Sequence, residues 1–120
     1  IPPGMPRDRL TCSSDGGGCL PTFDKDGRMV AMDIGRPGAL ADTIEVLLSR
    51  GRALEDVLPI FTSNVAGVLR LGRKGRIVVG ADADLLVLDA KHRIRDVIAR
   101  GRFVVRGGEP LVRGTFEAVT

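Results

Sequence analysis

Aromatic side chains are nearly missing from this sequence: its 120 residues include four Phe, no Trp and no Tyr. That excludes a core built on large rings and the stacking platform on which single strands of nucleic acid lie. Histidine is reduced to one residue, His92. A hydrolytic two-metal site needs several nitrogen and oxygen ligands to hold its ions and acidify bound water, and one imidazole with scattered carboxylates does not supply them. There are two cysteines, Cys12 and Cys19, and their spacing matches no zinc pattern. A disulfide across that loop stays open as a reading, although nothing points to export. No apolar run approaches the roughly 18 residues of a membrane-spanning helix. The opening Ile1-Pro2-Pro3-Gly4-Met5-Pro6 has neither the charged nor the apolar part of a secretory leader. These absences set the expectation of a reducing, cytoplasmic compartment. Residue 1 is not Met, so further sequence upstream is expected.

What is present is aliphatic and mixed in charge. Hydrophobic residues make up 43% of the chain, and the core must come from Leu, Val, Ile and Ala. Eighteen Lys and Arg against fifteen Asp and Glu give a net charge of +3. The charges alternate without a basic run, which reads as a solvated surface. A nucleic-acid partner would want a concentrated stripe. The length allows one domain; a complete (β/α)8 barrel needs about 250 residues.

Residues 1–9 are Pro-rich and polar and read as a loop. Residues 10–14 read as a strand. The glycine-rich stretch 15–38 reads as mostly loop, with a turn at Phe23-Asp24-Lys25-Asp26-Gly27. Leu40, Ile44, Leu47 and Leu48 make one apolar stripe, which predicts a helix over 39–50 with Arg50-Gly51 as its stop. A second helix fits 53–58, ended by Pro59. A third runs from a Thr62 or Ser63 cap to Leu71, with Val65, Val68 and Leu69 inward. After Gly75 the pattern turns to short β-type runs: 77–79, 85–88, 97–99 and a hairpin built from 103–105 and 111–112 around Gly107-Gly108-Glu109-Pro110. Helices first and strands after suggest an α/β segment joined to a small sheet.

Ser13-Ser14-Asp15-Gly16-Gly17-Gly18 is the most informative stretch. A carboxylate at a strand's end, followed by three glycines, stands beside backbone that turns sharply and lets a ligand come close. At the C-terminal rim of a parallel barrel, catalytic groups occupy that place. On spacing alone an Asp-Gly turn is the plainer reading of Asp15; the functional one is a general base or a metal ligand. His92, between Lys91 and Arg93, reads as a surface residue. Asp82 and Asp84 lack EF-hand spacing and read as a turn feeding a buried strand. Thr62-Ser63-Asn64 has no His or Lys partner for a nucleophile and reads as a helix cap. Gly72-Arg73-Lys74-Gly75 lacks P-loop spacing.

Taken together, these residues resemble a known family. Leu10–Gly16, Leu20–Asp24, Phe61–Leu69, Gly75–Ile77, Gly80–Leu88, Ala99–Gly101 and Arg113–Glu117 are similar to the C-terminal part of an amidohydrolase-superfamily enzyme of the isoaspartyl (β-aspartyl) dipeptidase family. The Gly80-Ala81-Asp82-Ala83-Asp84-Leu85 pattern marks the superfamily. The Ser-Ser-Asp-Gly and Pro-x-Phe-Asp segments and the Gly-Thr-Phe-Glu ending mark the dipeptidase.

The resemblance implies an α/β fold: residues 1–74 as the end of a (β/α)8 barrel, with 10–14 its last strand, and 75–120 as strands of a small β-sandwich domain. It implies hydrolysis of the isopeptide bond of β-aspartyl dipeptides by a homo-oligomeric parent using two zinc ions. Histidines and a carboxylated lysine absent from this chain hold those ions. Asp15 matches the family's catalytic Asp, which acts as general base, passes a proton to the leaving amine and touches one metal. Cys19 stands where a substrate-contacting serine is usual, and a thiol is the weaker donor. The chain alone is expected to be inactive and to fold poorly without a neighbour. The alternatives are another amidohydrolase, such as a D-aminoacylase or a cyclic-amide hydrolase, or a scaffold that keeps the fold without the chemistry. No nucleic-acid or membrane partner is expected.

Overall fold

The structure is a computed structural model that describes residues 4–115. The chain divides into two compact units, Ile1–Arg70 and Leu71–Thr120. The first contains a hairpin, β1 (Cys19–Phe23) with β2 (Met29–Ile34), then three helices, α1 (Ala39–Ser49), α2 (Leu54–Phe61) and α3 (Ser63–Val68). The second is a four-stranded antiparallel meander, β3 (Leu85–Leu88), β4 (Ile94–Ala99), β5 (Arg102–Arg106) and β6 (Glu109–Pro110), in the spatial order 3-4-5-6. Among the described residues no helix is long and apolar enough to cross a membrane.

The helix expected at 39–50 forms over Ala39–Ser49, and Gly51 follows with φ +76° in the left-handed conformation that stops a helix. Its stripe Leu40, Ile44, Leu47 and Leu48 is only half-buried. The first unit's core lies instead in α2 and α3, where Val57, Ile60 and Ala66 are the buried apolar residues. Enclosing a side chain such as Val57 is worth about 1.5–3 kcal/mol. That burial carries α2 past Pro59, which was expected to end it; the helix runs two residues further, to Phe61. Pro59 lacks the amide for the usual hydrogen bond, so the last turn holds by packing. Helix α3 ends at Val68, short of the expected Leu71, and Val68 and Leu69 point outward with 70% and 61% exposure.

Two expected strands do not form. Residues 10–14 are unpaired, and so are 77–79, where Ile77 and Val79 are fully open to solvent. A strand exists only where a neighbour completes its ladder, and no strand among the described residues lies beside either segment. Residues 15–38 depart in the opposite direction. Instead of mostly loop they contain the β1–β2 hairpin, registered Cys19 to Ile34, Leu20 to Asp33 and Pro21 to Met32.

Aspartates close the hairpins. The Asp24 carboxylate accepts from the amides of Asp26 and Arg28, each at 2.9 Å. The Asp89 carboxylate accepts from Lys91 at 2.8 Å and Arg93 at 3.0 Å, which sets the turn before β4 and leaves His92 exposed on it. The last hairpin forms, but Glu109 and Pro110, expected with Gly107-Gly108 in its turn, are the return strand in place of 111–112. Leu111 adds one more bond, its amide donating to the Val104 carbonyl at 2.8 Å. Phe116 and Glu117, part of the Gly-Thr-Phe-Glu ending, lie outside the described residues.

Candidate active site

The segment that leads to Asp15 has no strand ladder, so side chains and helix ends hold it. The Asn64 side-chain amide in α3 donates to the carbonyls of Arg7 at 2.7 Å and Leu10 at 2.9 Å. The Cys12 amide donates to the Ile60 carbonyl at the end of α2, at 3.2 Å. Arg7 forms an ion pair with Asp56 of α2. Thr62, read as a cap, makes no side-chain capping bond; its hydroxyl donates back to the Leu58 carbonyl at 2.7 Å. Asn64 was therefore the informative residue of Thr62-Ser63-Asn64, and it is an anchor rather than part of a cap.

At the end of this tethered segment the chain turns. The Gly18 amide donates to the Asp15 carbonyl at 2.8 Å, closing a four-residue turn, and Gly17 takes φ +84° inside it. Asp15 itself has φ +48°, a left-handed conformation that few side chains accept; Asp is among those that visit it. Its amide donates to the Ser13 hydroxyl oxygen at 3.3 Å. The turn is bound to the base of the hairpin: the Gly17 amide donates to the Gly35 carbonyl at 2.8 Å, and the Gly35 amide donates to the Gly18 carbonyl at 2.9 Å. Turn and hairpin are thus one continuous hydrogen-bonded piece.

The Asp15 side chain is exposed, and among the described residues no cation or amide engages its carboxylate. Asp82, Asp84 and Asp96, by contrast, are engaged. Lys74 pairs with Asp84 and, at 3.1 Å, with Asp82, and Arg73 reaches Asp82 at 3.0 Å. The lysine's hydrogen bonds hold both carboxyls below the usual carboxylate range, and the pair raises the pKa of Lys74 in return. Asp84 also accepts from the Arg100 amide at 2.7 Å. Asp96 is 6% exposed and accepts from the Gly107 amide at 2.7 Å and from Arg95 at 2.8 Å; the Gly107 amide first, then Arg95, holds its carboxyl low. Asp82 and Asp84, read as a turn before a buried strand, do precede β3, which is half-buried at most positions. Asp96 was not singled out in the sequence, and only its apolar strand neighbours would have hinted at it.

The Lys74 cluster borders a shallow groove of about 460 Å³ lined also by Leu85, Leu86, Val97, Ile98, Ala99 and Arg100. Its lining has no hydroxyl, thiol or imidazole, and its Lys74 and Asp84 are paired with each other. Cys19 begins β1 as an exposed residue opposite Ile34, and both cysteines stand as free thiols in this structure. Among the described residues no three His, Cys, Asp or Glu side chains converge to hold a metal ion. These residues do not by themselves make a zinc site. What the geometry offers is an unpaired carboxylate on a turn held by backbone hydrogen bonds.

A β-aspartyl dipeptidase from the thermophilic keratin degrader Fervidobacterium islandicum AW-1, solved in complex with the β-Asp-Leu dipeptide, superimposes on 92% of this chain with a TM-score of 0.81 and 40% identity. The chain is a relative of the β-aspartyl dipeptidases. A second structure of that organism's dipeptidase gives 35% identity over 92% of the chain and a TM-score of 0.74. The chain spans only 30% and 26% of the lengths of these dipeptidases. An N-acetylglucosamine-6-phosphate deacetylase from Thermotoga maritima matches 83% of the chain and 32% of its own length, at 18% identity and a TM-score of 0.63, a likeness of fold alone. No protein-family profile matches the sequence. The mixed α/β architecture with small sheets matches part of the β-aspartyl dipeptidase chains.

Proposed function

We propose that this chain is the C-terminal segment of a zinc-dependent isoaspartyl dipeptidase and that it brings the proton-carrying carboxylate to amide hydrolysis. The observation that carries the reading is Asp15: a solvent-open carboxylate without an ion-pair partner among the described residues, on a turn tethered from both sides, in a chain 40% identical to a dipeptidase. A carboxylate already committed to a lysine, as Asp84 is, would accept a proton poorly.

In the proposed reaction Asp15 takes a proton from the attacking water as its oxygen bonds to the isopeptide carbonyl carbon. It then gives that proton to the leaving nitrogen as the C–N bond breaks, and ends ionised as it began. General base and acid roles of this kind supply about 10²–10⁴-fold. Cys19, four residues on at the start of β1, is proposed to touch the substrate, with a thiol as a weaker donor than the family's hydroxyl. Zinc belongs to the proposal for the whole enzyme; its ligands would come from outside this chain. Residues 1–74 would form the end of the barrel and 75–120 part of the small β-domain. The parent would be a cytoplasmic homo-oligomer acting on a small dipeptide.

The test is substrate choice by the complete enzyme that contains this segment. It should cleave β-aspartyl-leucine and leave α-aspartyl-leucine, N-acyl-D-amino acids and cyclic amides intact. Preference for one of the last two would move the chain to another amidohydrolase. The isolated chain supplied with zinc should cleave none of them; turnover by it would overturn the reading.

A further inference from the structure

We propose that Gly18 and Gly35 are positioning residues for Asp15: together they fix the direction of its carboxylate from the base of the β1–β2 hairpin. The inference rests on the Asp15 reading and concerns how that side chain is aimed.

Gly35 is buried. A β-carbon placed on it would lie 2.0 Å from the Asp15 carbonyl oxygen, 2.8 Å from the Asp15 carbonyl carbon and 3.1 Å from the Ser14 carbonyl oxygen. Those are backbone atoms, so no rotamer change relieves the clash. Only glycine lets β2 pass this close to the Ser14–Asp15 backbone, and the closeness is used: Gly35 exchanges two main-chain hydrogen bonds with the turn, through Gly17 and Gly18. Gly18 acts from the other side. A β-carbon there would lie 2.5 Å from one Asp15 carboxylate oxygen and 2.6 Å from the other. The carboxylate therefore rests over the bare Cα of Gly18, and a methyl group would turn it away. By contrast, a β-carbon at Gly67 in α3 or at Gly72 would meet nothing within 4 Å.

Two glycines thus set two different things. Gly35 sets where the Asp15 backbone sits, and Gly18 sets where its side chain points. Proton transfer is steeply sensitive to such placement: a shift of about 1 Å at a catalytic group can cost roughly 100-fold in rate.

The experiment measures kcat, KM and the melting temperature on β-aspartyl-leucine with the complete enzyme. Gly35→Ala and Gly18→Ala should each lower kcat by roughly 100-fold with KM little changed, and Gly67→Ala should leave kcat unchanged. The deciding readout is each glycine variant combined with Asp15→Asn. Residues that act only through Asp15 cost nothing further once its carboxylate is gone, so the double variants should match Asp15→Asn alone. Losses that multiply would assign the glycines a general structural role and overturn the proposal. So would a wild-type kcat in Gly35→Ala. Should Gly35→Ala fail to fold, Gly18→Ala decides, because the Asp15 side chain can swing aside and the chain still folds; a wild-type kcat there overturns the proposal. If Asp15→Asn alone turns over at the wild-type rate, the Asp15 reading itself falls. That result is visible before either glycine variant is made.

Discussion

The second unit and the Asp15 turn use the same two residue types, aspartate and glycine, to opposite ends. In the second unit each aspartate carboxylate that sets a turn is spent: Asp84 on Lys74 and the Arg100 amide, Asp89 on Arg93 and two amides, Asp96 on Arg95 and the Gly107 amide. The glycines beside them, Gly101 and Gly107, supply the positive φ a tight connection needs. In the first unit the Asp15 carboxylate is left unspent, and Gly18 and Gly35 supply empty space rather than an unusual φ. A carboxylate bound by amides and cations holds structure. In the proposed function, the one held only through its own backbone moves a proton. An Asp-Gly pair in a sequence does not say which of the two it is.

The sharpest way to break that contrast is to remove a spent carboxylate. Asp96→Ala in the complete enzyme removes a carboxylate that is 6% exposed, and with it the bonds from the Gly107 amide and Arg95; hydrogen bonds to a charged group are worth about 1.5–3 kcal/mol each. The melting temperature should fall by several degrees, while kcat on β-aspartyl-leucine stays at the wild-type value in the folded enzyme. A loss of kcat with an unchanged melting temperature would erase the distinction between the two kinds of aspartate.

A smaller effect should appear in the pH dependence of stability. The carboxyls of Asp82, Asp84, Asp89 and Asp96 are all held below their ordinary range. Their contribution is fully present above about pH 4 and is lost as the pH falls through their lowered values. Lys74 is raised, so its contribution is complete below about pH 10 and fades as the pH climbs through its own value. Thermal melts of the sheet unit should be flat between those limits and fall on both sides. Lys74→Met should remove the alkaline fall and weaken the acid one. A melt that is unchanged in Lys74→Met across the whole range would mean that the Lys74 pairs contribute nothing. All of them are at least partly exposed, and surface pairs are worth little each.

The smallest effect belongs to a glycine with no task. Gly67 lies inside α3 with open space around it. Gly67→Ala should stabilise the first unit by roughly 0.5–1 kcal/mol, read as a small rise in melting temperature.

Local signals carried much of this architecture in the sequence, and long-range ones did not. The stripe Leu40, Ile44, Leu47 and Leu48 marks α1 because helix periodicity is a property of neighbouring residues. The turn at Asp24–Gly27 was legible for the same reason, but the hairpin around it was hidden by Pro21 in β1, since proline argues against a strand, and by the surrounding glycines. Residues 10–14 and 77–79 have strand composition but no strand partner among the described residues, because pairing is set by contacts far along the sequence rather than by composition. Asn64 gave no sign of anchoring residues 54 and 57 positions away. Gly35 looked like one more loop glycine, since only the folded chain brings its Cα against Asp15, twenty residues earlier in the sequence. Asp15 itself stood out in the sequence through its glycines, and its ambiguity there was real.

Turnover and melting of Asp15→Asn, measured on one preparation of the complete enzyme with β-aspartyl-leucine, test the division of labour most directly. The account predicts that kcat falls by about 10²–10⁴-fold while the melting temperature stays at the wild-type value, because nothing among the described residues leans on that carboxylate. An enzyme that keeps its turnover, or one that loses it only because it no longer folds, would contradict the account.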